Sequence, residues 1–248
     1  MNKKWIFLLF TIFFVFSVCQ LVMADQTISV GQSLTFGHYE QDNNLSNGAE
    51  PIEWIVLDIQ DDYALLLSKY LLDAKPYDEG NRMDETLTWE TSTIRSWLNN
   101  EFLNYSFTNS EQNLIWTMIL DNSCSEIGDS DYNYTWQESW DKFLGKTILN
   151  CGNNTEDKVF LLSLAQARKY FGNKFRIDAG RTAPTYYAKS HGAASIADDW
   201  WLRSLSIFAY DDTIRHYPDV IRPRGFNSKE FESDKIQGIR PAICIKLQ

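Results

Sequence analysis

Tyr132, Tyr134, Trp136 and Trp140 lie close together in one polar stretch, interleaved with Asp129, Asp131, Asn133 and Gln137. Flat rings cover the C–H faces of a ligand while planar amides and carboxylates bond its hydroxyls, which is what sugar or peptide recognition requires. Tyr132, Tyr134, Trp136, Trp140, Asp129 and Asp131 are therefore the candidate ligand contacts. A plainer reading stays open beside this one. Trp136 and Trp140 are four apart and can form one face of a short helix packed on the core.

Other chemistry is tested by spacing and fails. Gly145-Lys146-Thr147 resembles the end of a phosphate-binding loop, but Trp140 stands where the first glycine is required. Asp129-Ser130-Asp131-Tyr132-Asn133 begins like a calcium loop, yet Tyr134 replaces its glycine and Trp140 its final glutamate. His38, His191 and His216 fall in three separate segments without a second ligand at helical spacing, so no metal site is expected. There is no nucleophile elbow and no paired-cysteine motif. The expectation is a non-catalytic binding domain with no cofactor, its partner a glycan or a surface protein. The alternatives are a structural or adhesive module, or an enzyme using His191 or His216 as acid or base. A pocket that sets one of those histidines beside a carboxylate would favour the enzyme.

A second set of charged residues sits in apolar runs. Trp200-Trp201-Leu202-Arg203-Ser204 and Gly238-Ile239-Arg240-Pro241-Ala242 each place an arginine where charge is normally excluded unless partnered. Arg95, Arg203 and Arg240 can clamp a carboxylate or phosphate. Their flanking core formers favour burial instead, with Glu90, Asp199 or backbone carbonyls as partners. Trp97 and Trp201 are expected to be buried with them.

Composition narrows the partners. Residues 1–24 read as an export signal: Lys3 and Lys4 precede an apolar run from Trp5, and Val22-Met23-Ala24 offers a cleavage site. The same stretch is long enough to act instead as an uncleaved anchor, which would be the only contact with a membrane. Removing Lys3 and Lys4 leaves 21 basic residues against 33 acidic ones, a net charge of −12. So acidic a chain, lacking a basic cluster, argues against nucleic acid and suits a secreted or cell-surface protein. Residues 25–248 suffice for one domain. Of the four cysteines, Cys124 and Cys151 are the candidate disulfide pair, since both flank one polar insertion. Cys244 alternates with Ile243 and Ile245 and reads as a buried free thiol.

The elements that must position these residues are legible in part. Ile52–Ile59 and Tyr63–Ser68, separated by Gln60-Asp61-Asp62, predict a β-hairpin. An earlier strand lies within Asp25–Phe36. Ile94, Trp97, Leu98 and Phe102 predict a helix capped by Thr91 or Ser92. Thr108-Asn109-Ser110-Glu111 opens a second helix over Leu114, Ile115 and Met118, and Ser163-Leu164-Ala165-Gln166 a third. Strands are expected at Lys158–Leu162 and Pro241–Leu247. Glu40–Glu50, Asp121–Thr155 and Asp211–Lys235 read as loops. No 20–50-residue repeat and no linker divides the chain.

The chain resembles bacterial secreted and cell-surface proteins grouped as domain of unknown function 6273. The resemblance is carried by Ile52-Glu53-Trp54-Ile55-Val56-Leu57-Asp58, Leu65-Leu66-Leu67-Ser68-Lys69-Tyr70 and Thr88-Trp89-Glu90-Thr91-Ser92-Thr93-Ile94-Arg95-Ser96-Trp97-Leu98-Asn99. It continues through Asn154–Ser163 and the two arginine segments, covering roughly residues 30 to 247. Those last segments also look like the closing strands of the C-type-lectin-like fold, including its formylglycine-generating branch. This implies a single α+β domain, a twisted and mainly antiparallel sheet with flanking helices, and binding by long loops. Leu205-Ser206 follows Arg203-Ser204 where the family usually has Pro-Gly, so the adjoining loop is expected to differ. The lectin calcium-and-sugar tripeptides and the formylglycine enzymes' paired cysteines are missing, so neither chemistry is implied.

Overall fold

The computed structural model describes residues 28–80, 86–122, 152–171, 182–193, 199–210, 213–222, 225–226 and 233–247. The expected export segment, Cys124, Cys151 and the six candidate contacts between 129 and 140 lie outside these residues. Among the described residues no helix is long and apolar enough to cross a membrane.

The chain begins with β1 (Ser33–Tyr39), β2 (Glu50–Ile59), β3 (Tyr63–Ser68) and β4 (Asp73–Pro76). The predicted β2–β3 hairpin is present, with Gln60–Asp62 at its turn. Helix α1 (93–106) follows. Ser92 caps it by accepting the Arg95 N–H, and a π-helical segment over Leu98–Phe102 widens it midway. Helix α2 (Asn109–Leu114) opens on the predicted capping box between Thr108 and Glu111. It ends earlier than the apolar spacing suggested. Ile115 enters β5 (Ile115–Trp116), and Met118 enters β6 (Met118–Leu120). Pairing of Ile115 and Trp116 with Ile245 and Cys244 overrides the helical period, as tertiary contacts commonly do.

Next come β7 (Thr155–Asp157), β8 (Val159–Phe160) and α3 (Leu164–Phe171), the last opened by reciprocal Ser163–Gln166 hydrogen bonds. Then follow α4 (Tyr186–Ser190), β9 (Trp200–Tyr210), β10 (Thr213–Arg222), β11 (Gly225–Phe226), β12 (Ile236–Ile239) and β13 (Ala242–Lys246). Residues 213–222 and 225–226 are thus strand, within the stretch that Pro218, Pro223 and Gly225 suggested was a loop. The β9–β10 ladder takes up Pro218 beside a register shift, where a missing donor is tolerated.

The strands form two main sheets: one ordered β1-β2-β3-β13-β5 with β8 also on β13, the other β11-β10-β9-β12-β4. Every pairing between named strands is antiparallel except β12 with β9. The fold is a single α+β domain, mainly antiparallel, with few helices. The single expected sheet is divided because Arg240-Pro241 carries the chain from β12 in one sheet to β13 in the other. Within β12, Gly238 sits between β4 and β9 with little room for a side chain: a Cβ there would lie 2.4 Å from Leu71 Cδ1.

One core fills the space between these elements, with Trp54, Trp89, Trp200 and Trp201 among its largest enclosed side chains. Each large apolar side chain so enclosed contributes about 1.5–3 kcal/mol. The indole N–H groups are not abandoned. Trp54 donates to the Phe36 carbonyl at 2.7 Å and Trp201 to that of Lys75 at 2.9 Å.

Candidate functional site

Three polar constellations stand out among the described residues. The first is centred on Asp157, at the end of β7 and fully enclosed. It accepts from Arg95 Nε at 2.7 Å, Trp89 Nε1 at 2.9 Å, Thr155 Oγ1 at 2.7 Å and Asn99 Nδ2 at 3.3 Å. Asn99 Oδ1 in turn accepts the backbone N–H groups of Lys158 and Val159. This network pins α1 to β7 and β8.

The second surrounds the two arginine segments. Arg203 is buried and donates to Gln166 Oε1, Asn122 Oδ1 and the Asp121 carbonyl. Asn122 also bonds the Asn153 carbonyl and Thr155, while Glu90 holds Asn153. The base of the 123–151 connection is therefore fixed to the core. Arg240 is enclosed, donates Nε to the Ser68 carbonyl, and has its guanidinium 5.2 Å from the Trp200 ring centre and 5.7 Å from that of Phe171. Burial pulls its pKa down to about 9. Trp201 is fully buried, whereas Trp97 and Arg95 are half-buried, because α1 leaves one flank open to solvent. Arg95 takes Asp157 and the Glu90 carbonyl as partners, not the Glu90 side chain. Cys244 is a buried free thiol whose pKa burial pushes up to about 12.

The third constellation was not legible from spacing. α4 starts where Thr185 accepts the Ala188 N–H, and Thr185 is itself anchored by donating its N–H to the Leu71 carbonyl. This docks the helix beside β4 and the β1–β2 loop. Tyr187 donates its backbone N–H to the Gln41 carbonyl, and Ser190 Oγ donates to Asn43 Oδ1 at 3.1 Å. His191 then caps the helix. Its Nδ1 lies 2.8 Å from Asp73 Oδ1, and Tyr39 donates its hydroxyl to Asp73 Oδ2 at 2.6 Å. Asp73 Oδ1 also accepts the Ala74 N–H, and the carboxylate is buried.

A carboxylate accepts, so Nδ1 is the nitrogen that carries a hydrogen toward Asp73, and whenever the ring is neutral Nε2 is the acceptor. The ring is 40% exposed. Tyr187 packs edge-on against it with ring centres 4.1 Å apart, and Tyr39 packs edge-on against Tyr187. Burial, then the Asp73 charge, raises the Tyr39 phenol above its ordinary range, so it stays a donor. Tyr187 is raised by burial and by the charges of Asp73 and Glu40. Of the other histidines, His38 is exposed on β1, and His216 lies on the backbone of β10.

The β1–β2 loop beside this site is built from its own side chains. Asp42 accepts the Asn44 N–H, Asn44 accepts from Ser46, and Asn47 reaches back to Asp42 Oδ2. Glu40, Asp42 and Glu50 each offer an oxygen within 4.8 Å of the others, a set that could hold a divalent cation. Burial, supported by Asp42 and Glu50, pushes Glu40 up, whereas the Asn47 amide holds Asp42 down. The alternation Asp42-x-Asn44-x-Ser46 was the available sequence signal for this oxygen-lined loop.

No curated protein and no solved structure matches the chain. Residues 61–247 match a family described as a domain of unknown function, DUF6273. The matched span contains the Asp157 network, both arginine segments, Asp73 and His191, while the Ile52–Asp58 motif and Tyr39 precede it. The chain therefore belongs to the DUF6273 family.

Proposed function

We propose that this protein is a secreted or cell-surface binding domain, non-catalytic, whose ligand is a glycan or a surface protein. The observation that carries the reading is the treatment of the aromatic residues. The core encloses four tryptophans, yet Tyr105 is left 80% exposed, Tyr186 70% and Trp116 36%. Exposed rings beside amides are suited to a ligand with C–H faces and hydroxyls. The net charge of −12 after removal of residues 1–24 supports an extracellular partner over nucleic acid. A C-type-lectin-like core remains part of this proposal, on the strength of the arginine-bearing closing strands. The Asp121–Thr155 stretch, whose ends are held by Arg203 and Glu90, is the first proposed ligand-binding element.

The second reading, an enzyme on the same scaffold, is favoured by one observation: His191 stands beside a buried carboxylate. A glycan array probed with and without calcium tests the first reading, with a Trp136→Ala, Trp140→Ala double variant alongside. Binding lost in the double variant supports a lectin-type role for that connection. A blank array from folded protein removes the glycan and leaves a protein partner.

A further inference from the structure

We infer that Asn47 is a self-modification site, where the Gly48 nitrogen closes on the Asn47 side chain and converts it to aspartyl and isoaspartyl residues. Asn47-Gly48 is the one Asn-Gly pair in the chain. The chemistry is intramolecular: the attacking nitrogen and the side-chain carbonyl carbon belong to adjacent residues, so their effective concentration is high. What ordinarily protects an asparagine is its successor, whose side chain blocks the approach and whose N–H is committed to a hydrogen bond.

Neither protection exists here. A Cβ built on Gly48 would meet nothing within 4 Å, so the approach is open. Among the described residues no acceptor takes the Gly48 N–H. Residues 42–49 are all exposed, so water reaches the pair.

The steps balance without an oxidant or reductant. The Gly48 N–H gives up its proton, its nitrogen bonds to Asn47 Cγ, and the Cγ–Nδ2 bond breaks. Nδ2 leaves as ammonia with that proton, and a five-membered succinimide remains. One water then opens the ring. Attack at Cγ gives aspartate, and attack at the Asn47 backbone carbonyl carbon gives isoaspartate, with the chain running through Cγ.

Asp42 acts as a brake, because Asn47 Nδ2 donates to its Oδ2 at 2.8 Å and so holds the amide in place. Conversion turns that donor into an acceptor. Two carboxylates then face each other in a loop that already carries Glu40 and Glu50. The same loop is docked on α4 through Asn43 with Ser190 and Gln41 with Tyr187, so conversion loosens this docking.

The test incubates the full chain at neutral pH and maps it at intervals by peptide mass spectrometry, beside Gly48→Ala and Asp42→Ala. Thermal unfolding confirms that each variant is folded. The expected result is a gain of about one dalton at Asn47, in both aspartyl and isoaspartyl forms. Conversion slows at least about 10-fold in Gly48→Ala, where the close approach is lost, and quickens in Asp42→Ala. Hydrogen exchange at the Tyr187 N–H speeds up in the converted chain. An Asn47 that stays intact while a peptide of residues 42–52 converts overturns the site, as does earlier conversion at another asparagine. Aspartate without isoaspartate overturns the succinimide route, and unchanged exchange at Tyr187 overturns the loosening.

Discussion

Asp157 and Asp73 are both buried carboxylates held by several protein donors, and they differ in where their networks end. Around Asp157, the donors from Trp89, Arg95, Asn99 and Thr155 belong to the framework, and the remaining bonds of Asn99 return to backbone. Around Asp73, the chain of contacts runs from Tyr39 through the carboxylate to His191, whose side chain is 40% exposed. Burial of a carboxylate thus does not mark a site by itself. A closed network stabilises the fold, and an open one orients a side chain that solvent reaches. The contrast also explains why α1, tied to Asp157, and α4, tied to Asp73, are suited to different work although both are capped helices.

The comparison is broken most severely at Asp157. Asp157→Ala leaves the Arg95 guanidinium and three further donors without their acceptor, and is expected to cost about 3–5 kcal/mol in denaturant unfolding. A cost below about 1 kcal/mol would mean that the network is not what pins α1 to β7. Tyr39→Phe removes one hydrogen bond from the open network. Its expected cost is about 1 kcal/mol in the same assay, and a larger loss would place Asp73 with the framework rather than the site.

The smallest effect belongs to a third carboxylate, Asp58, which is half-buried. Lys169 foremost, with Tyr170, holds it below the usual carboxylate range. A depressed folded-state pKa contributes stability above the unfolded value, near 3.9, that is lost as pH falls further. Asp58→Asn should therefore cost less than about 1 kcal/mol at neutral pH, with the difference from wild type vanishing in acid. A difference that grows on acidification would reverse the assigned sign.

The framework around the closed network was the more legible in sequence, although Asp157 itself was not foreseen as the partner of Arg95. Ser92 and Thr108 announced their helices through capping, and the apolar flanks of Arg203 and Arg240 announced their burial, because both signals are local. The end of α2 was not legible, since pairing with β13 decides it from over a hundred residues away. Nor was the β9–β10 hairpin, where Pro218 imitates loop chemistry on a strand that accommodates it beside a register shift. The open network was least legible of all. Tyr39 and Asp73 are separated by 34 positions, and Asp73 and His191 by 118. No spacing rule joins them; β4, β1 and the end of α4 do so only once the sheets have formed.

The central claim is that Asp73 fixes the tautomer of His191, and imidazole nitrogen chemical shifts of the folded protein test it directly. The account predicts that the neutral ring carries its hydrogen on Nδ1, a preference lost in Asp73→Ala. A neutral His191 carrying its hydrogen on Nε2 would contradict it, because Asp73 would then face a ring nitrogen with no hydrogen to donate.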